Sequence, residues 1–375
     1  MRRYPFPLQI TIYLLMVILF VFALITARNF LYPICFGILI SFLLYPIASR
    51  LERLGVPRIL AILLSIFMGI AVLYGLIYFI SQQMMVFIED LPRLKEQANQ
   101  NIGTLQHTIS ERFGVSEWKQ DRWLRDSISG LFEKGSVFLR TVFEATAGTV
   151  VKFLLVPVYV FFMLYYRNKF ERFFIRLLNP FHRYFKPAAL IKEISTIVKN
   201  YMVGVTTVVL ILCFLNSIGL IIVGVNYAVM LGIISALFNF IPYFGTLIGG
   251  AIPLIVALLT ESSPGYAGGV VILFLIIQFT ENNILTPNIS GGYVRINPFI
   301  TILSIIIGGM IWGLPGMFLV VPFMGIVRVI CTYFPELAPF AYLLSTKGTA
   351  KHSLTWPKIK NFFNKIVNNK KEKKK

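Results

Sequence analysis

Apolar positions in this chain fall in long blocks rather than in alternation or heptads. Near-continuous apolar runs cover residues 8–27, 30–49, 60–81, 146–166 and 201–224. At about 1.5 Å of rise per residue, about 20 residues carry a helix across a hydrocarbon core of about 30 Å. Five spanning helices are therefore predicted. Arg2 and Arg3 ahead of the first run also suit a signal peptide. That run is longer than an h-region of about 7–15 residues, however, and no small-x-small cleavage site follows it, so the segment is expected to stay in the membrane.

Between the third and fourth runs, residues 82–145 mix polar and apolar positions. Ile102, Leu105, Ile109 and Phe113 recur at helical spacing, as do Leu124, Ile128, Leu131 and Phe132, which predicts two or three amphipathic helices forming a small cap. Such a cap suits a subunit contact, a lid over an exit path, or a connector that packs on itself. No chemistry is assigned to it, His107 included. A further amphipathic stretch, RNKFERFFIRLL at 167–178, sets Phe170, Phe173, Phe174 and Leu177 on one face and Arg on the other. This is the pattern of a helix lying in the membrane interface.

Two more apolar blocks, 228–260 and 298–330, are each 33 residues long. As straight helices they would measure about 50 Å, well beyond the hydrocarbon core. Both carry breakers near the middle, FNFIPYFG at 238–245 and WGLPG at 312–316. Pro242, Gly245, Gly313, Pro315 and Gly316 thus predict broken helices or helical hairpins. If both blocks are hairpins, 201–260 and 267–330 each pair a span with a hairpin and enter from opposite sides. That is an inverted repeat of the kind found in secondary transporters, whose sites lie at broken helices near the midplane. The fold class read from this pattern is an all-α polytopic membrane protein with about eight membrane segments.

The stretch QFTENNILTPNISGGYVRINP at 278–298 would join the second span to the second hairpin. Gln278, Glu281 and Asn282 lie within one helical turn, with Asn283 beside them. An ionisable residue at the edge of an apolar span is costly unless it lines water or finds a partner. Glu281 is thus the leading candidate for proton or cation coupling, and Arg295 is a candidate partner for it or for an anionic group. Pro287, Gly291, Gly292 and Pro298 would keep the following backbone non-helical, leaving amides and carbonyls for a polar solute, with Asn297 nearby. The alternative is an ordinary interfacial loop with Glu281 in headgroup water. Asn239, just before Pro242, suits a place on a path and a structural role equally. For Asn216 and Ser217 interhelical hydrogen bonding is the preferred reading.

Composition agrees with a membrane protein: 57% of residues are apolar and the mean hydropathy is +0.76. The net charge of +19 suggests nucleic acid until its location is read. Arg2 and Arg3 give +2, residues 50–58 give +2, 166–200 give +6 and the tail from Lys347 gives +9, so the rest of the chain cancels. With the N-terminus inside and spans alternating, all four stretches fall on the cytoplasmic side, and the nearly neutral 82–145 falls outside. The hairpin alternative also puts Arg295 inside. The excess is a topogenic signal with attraction for anionic lipid, not a nucleic-acid surface. Cys35, Cys213 and Cys331 lie in apolar segments and form neither a disulfide framework nor metal-ligand spacing. No His-x-x-x-His, Cys-x-x-Cys or phosphate-binding Gly-rich loop occurs, so no cofactor and no metal is expected, and no pairing of nucleophile and base points to an enzyme.

FNFIPYFGTLIGGAIP at 238–253, the 278–298 stretch and IIGGMIWGLPGMFLVVP at 306–322 together resemble the autoinducer-2 exporter-like family of bacterial membrane proteins. Three spans followed by a polar segment and a fourth span also look like that family, so the resemblance covers about residues 5–340. Ile241, Pro242 and Gly245 match its Ile-Pro-x-x-Gly turn. Gln278, Glu281, Asn282, Pro287, Gly291 and Pro298 fall on its polar pattern, and Gly313, Gly316 and Pro322 on its closing pattern. The Lys-rich tail is particular to this chain. The resemblance implies export of a small molecule, autoinducer-2 in some members, without ATP hydrolysis, and homo-oligomers. Other members resemble Na⁺ or Li⁺/proton antiporters.

The expected organisation is three spans over 1–81, an extracytoplasmic helical segment over 82–145 and the fourth span with basic interfacial helices over 146–200. A transport core over 201–340 and a Lys-rich cytoplasmic tail over 341–375 complete it. The expected function is secondary transport in the bacterial cytoplasmic membrane, with both termini inside, exporting a small polar solute of the autoinducer-2 type. The alternatives are a monovalent cation/proton antiporter using Glu281 and a non-transporting scaffold.

Overall fold

The structure is a computed structural model and describes residues 5–113, 130, 155–181, 184–261, 263–290 and 296–346. Among the described residues the elements are helical, with one isolated antiparallel bridge between Ile296 and Ser345. Six of these helices are long and apolar enough to cross a membrane, and shorter apolar helices accompany them. The polytopic all-α architecture expected from the apolar blocks is what the chain adopts.

Helices α1 (Phe6–Thr26) and α2 (Arg28–Arg53) follow the first two predicted spans and meet at Ala27. α2 turns Pro33, Gly37, Leu39, Ser41, Leu44 and Ala48 inward. At Gly37 an added Cβ would come 2.7 Å from Tyr159, so the missing side chain lets α2 seat against α4 (Leu155–Tyr165). In a bilayer such close approach gains packing contacts, because lipid is as apolar as Leu and supplies no separate hydrophobic drive.

α3 (Arg58–Phe113) is one helix of 56 residues, about 84 Å long. It runs without a break through the predicted boundary at 81/82. The change from apolar to mixed sequence marks a change of surroundings, while Gln, Met, Glu, Lys and Leu keep helix propensity high. The Leu124, Ile128, Leu131 and Phe132 pattern lies outside the described residues, as do the first part of the predicted fourth span and the Lys-rich tail.

α5 (Arg167–Leu177) leaves Phe170, Phe173, Phe174 and Leu177 exposed along one side. The Arg167 guanidinium ties it to α2, donating to both carboxylate oxygens of Glu52 at 3.0 and 2.5 Å while stacking over Tyr45. α6 (Pro187–Val223) is 37 residues long and begins well before the predicted span at 201. Gly224, at φ +88°, ends it in the left-handed cap that favours glycine.

Both interrupted blocks form hairpins. The first joins α7 (Ala228–Phe238) to α8 (Phe244–Thr260) through a tip at 239–243. The second joins α10 (Pro298–Trp312) to α11 (Leu314–Tyr333) through Gly313, at φ +66°. The arms touch backbone to backbone. A Cβ at Gly249 would come 2.6 Å from the carbonyl oxygen of Ser235, whose side-chain hydroxyl donates to the Gly249 carbonyl at 2.5 Å, and a Cβ at Gly308 would come 2.6 Å from the Gly316 carbonyl oxygen.

Between the hairpins runs α9 (Pro264–Thr280), which continues as a π-helical segment, Glu281–Ser290. The two helix-plus-hairpin units run in opposite senses. The base of the first hairpin lies with the start of α9, where the Asn226 amide donates to Glu261 at 2.9 Å and Val225, Ala228 and Ala267 pack together. The base of the second lies with the start of α6, where the Tyr333 hydroxyl donates to Glu193 at 2.7 Å. The Asn297 amide donates to the Leu344 carbonyl at 2.8 Å, fastening α12 (Ala338–Leu344) there as well. The hairpin ends approach each other, with Phe240 edge-on to Phe318 at 5.5 Å between ring centroids.

Candidate functional site

Asn239 caps the C-terminal end of α7 and opens the first hairpin tip. Tyr243 closes that tip at φ +66°, an uncommon conformation for a residue with a side chain. Gly245 tucks directly under the Phe238 carbonyl and Asn239, where a Cβ has no room. The tip is thereby held tight and Asn239 faces α9.

Glu281 meets it there, at the point where α9 changes from α to π winding. Such changes of pitch recur at functional sites, because the widened turn re-aims side chains. The apolar helical segment spans Gly265–Ile289, so Glu281 lies about two thirds of the way along it. A carboxylate at that depth needs a partner or water. Asn239 Nδ2 donates to Glu281 Oε2 at 3.2 Å.

This pair forms part of the wall of a cavity of about 880 Å³. α6 contributes Tyr201, Val205, Val208 and Val209; the first hairpin contributes Asn239, Pro242, Tyr243 and Thr246. Gln278, Glu281, Asn282 and Thr286 come from α9 and its π continuation, and Thr301 and Val321 from the second hairpin. Among the described lining residues Glu281 is the one carrying a formal charge. Tyr201 also lines this cavity, and its hydroxyl is buried without a hydrogen-bond partner among the described residues. Beside it is a much smaller cavity of about 10 Å³, bounded by Asn216, Ser235, Asn239, Gln278 and Glu281 together with glycines of α8.

The structure thus gathers Gln278, Glu281, Asn282, Asn239 and Pro242 from the predicted set. Asn283 instead donates back to the Phe279 carbonyl of its own helix at 2.8 Å. Asn297 accepts from the Phe299 amide at 3.1 Å and serves as the cap of α10, with Pro298 starting that helix. Pro287 sits in the π-helical segment, and Pro315 and Gly316 open α11. Gly291, Gly292 and Arg295 lie outside the described residues. Tyr201, Thr246, Thr286 and Thr301 were not singled out in the sequence. A signal for Tyr201 did exist: Tyr201, Val205, Val208, Val209, Leu212 and Asn216 recur at helical spacing on one side of α6. Among the described residues no cluster of His, Cys, Asp and Glu has the makings of a metal site.

Opposed helix-plus-hairpin units around a largely apolar cavity with a polar edge define a multi-pass membrane protein of the transporter or permease class. The chain belongs to the AI-2E family of transporters, whose family model matches residues 11–336. It is 29% identical over 316 residues to YrrI of Bacillus subtilis (strain 168), provisionally described as a transport protein, covering 80% of this chain and 86% of that one. YueF of the same organism, described in the same way, is 27% identical over 310 residues, with 79% and 82% covered. PerM of Escherichia coli (strain K12), provisionally described as a permease, is 25% identical over 346 residues, with 89% and 96% covered.

Proposed function

We propose that this protein is a secondary transporter of the cytoplasmic membrane that exports a small polar metabolite of the autoinducer-2 type. The observation that carries the reading is the hydrogen bond from Asn239 to Glu281 in the wall of the large cavity, which joins a hairpin tip to an intramembrane carboxylate. A volume of about 880 Å³ falls in the range of small-molecule pockets. Apolar walls from Val205, Val208 and Val209 face a polar rim of Tyr201, Asn239, Gln278 and Asn282, which suits a compact solute with several hydroxyl or carbonyl groups.

An ionised Glu281 only accepts hydrogen bonds, while its protonated form also donates. Binding and loss of one proton therefore changes how the cavity holds a solute, which is what coupling to a proton gradient requires. The basic stretches support a topology with both termini inside. A second reading, exchange of Na⁺ or Li⁺ for protons, is favoured by Glu281 being the one formally charged residue among the described lining.

The test is reconstitution of the purified protein in liposomes, following movement of labelled autoinducer-2 and of protons. Solute movement that is lost in Glu281→Gln supports the exporter. Proton flux on addition of Na⁺ or Li⁺, without solute movement, selects the antiporter.

A further inference from the structure

The large cavity is unevenly furnished. α8 and α9 are joined by a short connection and run antiparallel along it, with Gly250 of α8 set against Phe274 of α9, where an added Cβ would come 3.3 Å from the ring. Toward the hairpin tip these helices and the π continuation line it with Thr246, Gln278, Glu281 and Asn282; toward the hairpin base they line it with Leu254, Val270 and Val271. From Gln278 back to Val270 is about 12 Å of helix. Between those two positions, and from Leu247 to Leu254 on α8, no hydrogen-bonding side chain lines the cavity among the described residues.

The apolar half opens sideways. Leu247 is 74% exposed and Leu275 65%, yet both line the cavity, which places them at its mouth. Leu275 lies about 15 Å along the apolar segment Gly265–Ile289, near the middle of a hydrocarbon core of about 30 Å. We infer that the acyl chain of a bilayer phospholipid enters this mouth and occupies the apolar half of the cavity, leaving the Asn239–Glu281 end to a polar solute. The site goes beyond the transport reading and stands on the cavity and its depth in the membrane.

The medium at the mouth names the occupant. At mid-depth the bilayer offers the ends of lipid chains, which are slim and flexible. Water would need two to four polar partners, and this half of the cavity supplies none from α8 or α9 among the described residues. An empty cavity would cost its lining the dispersion contacts on one side. Lipid is as apolar as Leu, so the gain from a seated chain is packing rather than transfer from water.

Depth separates a chain from a second copy of the protein. Exposure falls from Leu247 and Leu275 at the lips, through the half-buried Phe274 and Leu254, to Val270 at 1%. A helix with its side chains is about 10 Å across and covers the lips without reaching the residues behind them. An acyl chain reaches them, passing Gly250, where no side chain stands in the way.

The test uses a phosphatidylcholine with a diazirine near the end of one chain. The purified full-length protein is reconstituted with this lipid and irradiated, and the adducts are mapped by peptide mass spectrometry. Adducts on Phe274 and Leu254 are expected to match or exceed those on Leu14 and Phe20 of α1, which are far more exposed. Leu254→Trp, which fills the inner end, is expected to cut adducts on Phe274 at least tenfold and leave those on α1 unchanged. Leu275→Trp, at an exposed lip, is expected to cut them at least threefold, and thermal melts verify that both variants are folded. Adducts confined to Leu247 and Leu275 overturn the inference, as does labelling of Phe274 that survives both substitutions. Disulfide-linked dimers of Leu275→Cys in the bilayer, without adducts on Phe274, overturn it in favour of a second copy. If solute transport persists without adducts behind the lips, the chain site fails while the transporter reading stands; adducts without any flux give the reverse.

Discussion

Asn239 and Glu281 stand 42 positions apart in sequence, yet the amide of one donates to the carboxylate of the other at 3.2 Å. The bond spans a hairpin tip and the α-to-π junction of a membrane helix, so it links the two inverted units. Breaking it is expected to act on transport more than on folding. Asn239→Leu should lower transport at least tenfold with a melting temperature near that of the wild type. Hydrogen bonds to charged groups contribute about 1.5–3 kcal/mol, enough for that loss. Comparing proteoliposome flux with a thermal melt of the same sample checks it, and equal losses in both would assign the bond to folding.

Tyr201 predicts the opposite balance. Its side chain borders the large cavity, and its hydroxyl is buried without a partner among the described residues. Removing an unpaired buried polar group relieves a cost of about 1–3 kcal/mol. Tyr201→Phe should therefore melt at the same or a higher temperature while the apparent affinity for a hydroxyl-bearing solute falls about tenfold. A KM series on the two proteins measures the second effect.

The hairpins depend on absent side chains. At Gly316 a Cβ would collide with the Gly308 carbonyl and approach Trp312 to 3.0 Å, whereas at Gly75 in α3 nothing lies within 4 Å. Gly316→Ala is expected to destabilise the protein by about 2 kcal/mol or more. Gly75→Ala should be neutral or stabilising by about 0.5–1 kcal/mol, since it raises helix propensity. Detergent melts of the two variants decide this.

On the loop after α6, Tyr227 donates from its hydroxyl to Asp90 of α3, and its ring meets Phe87 edge-on. Partial burial and then the hydrogen bond and charge of Asp90 push the Tyr227 hydroxyl up to about 12. A phenol raised above its ordinary value of about 10 stabilises the fold fully below pH 10. That contribution is lost as pH rises through 12. Tyr227→Phe should thus be less stable than the wild type by roughly 1 kcal/mol near neutral pH, with the difference shrinking between pH 10 and 12. A double-mutant cycle with Asp90→Asn isolates the pair.

The apolar blocks and their breakers carried most of the architecture into view. FNFIPYFG and WGLPG read as turns because Pro and Gly interrupt otherwise uniform helical sequence, and hairpins follow from blocks too long for one crossing. The length of α3 was harder to read, since hydropathy falls at Gln82 while the helix runs on through that point and past Pro92. The polar half of the site was legible at Gln278, Glu281 and Asn282, where polar residues stand out against an apolar run. Tyr201 on α6 was not, because a Tyr spaced among valines looks like packing until the hairpin and α9 close a cavity beside it. Asn297 showed the reverse: as a sequence letter it resembled a ligand, and the start of α10 claims it as a cap.

The bridge from Ile296 to Ser345 gives the segment that follows α12 an unexpected attachment. A reporter fused shortly after Ser345 hangs from the start of the second hairpin, through Ile296 and Asn297. Tethering that point to a surface would apply force at the root of the hairpin, so a single-molecule pull from the C-terminal side would load this element first.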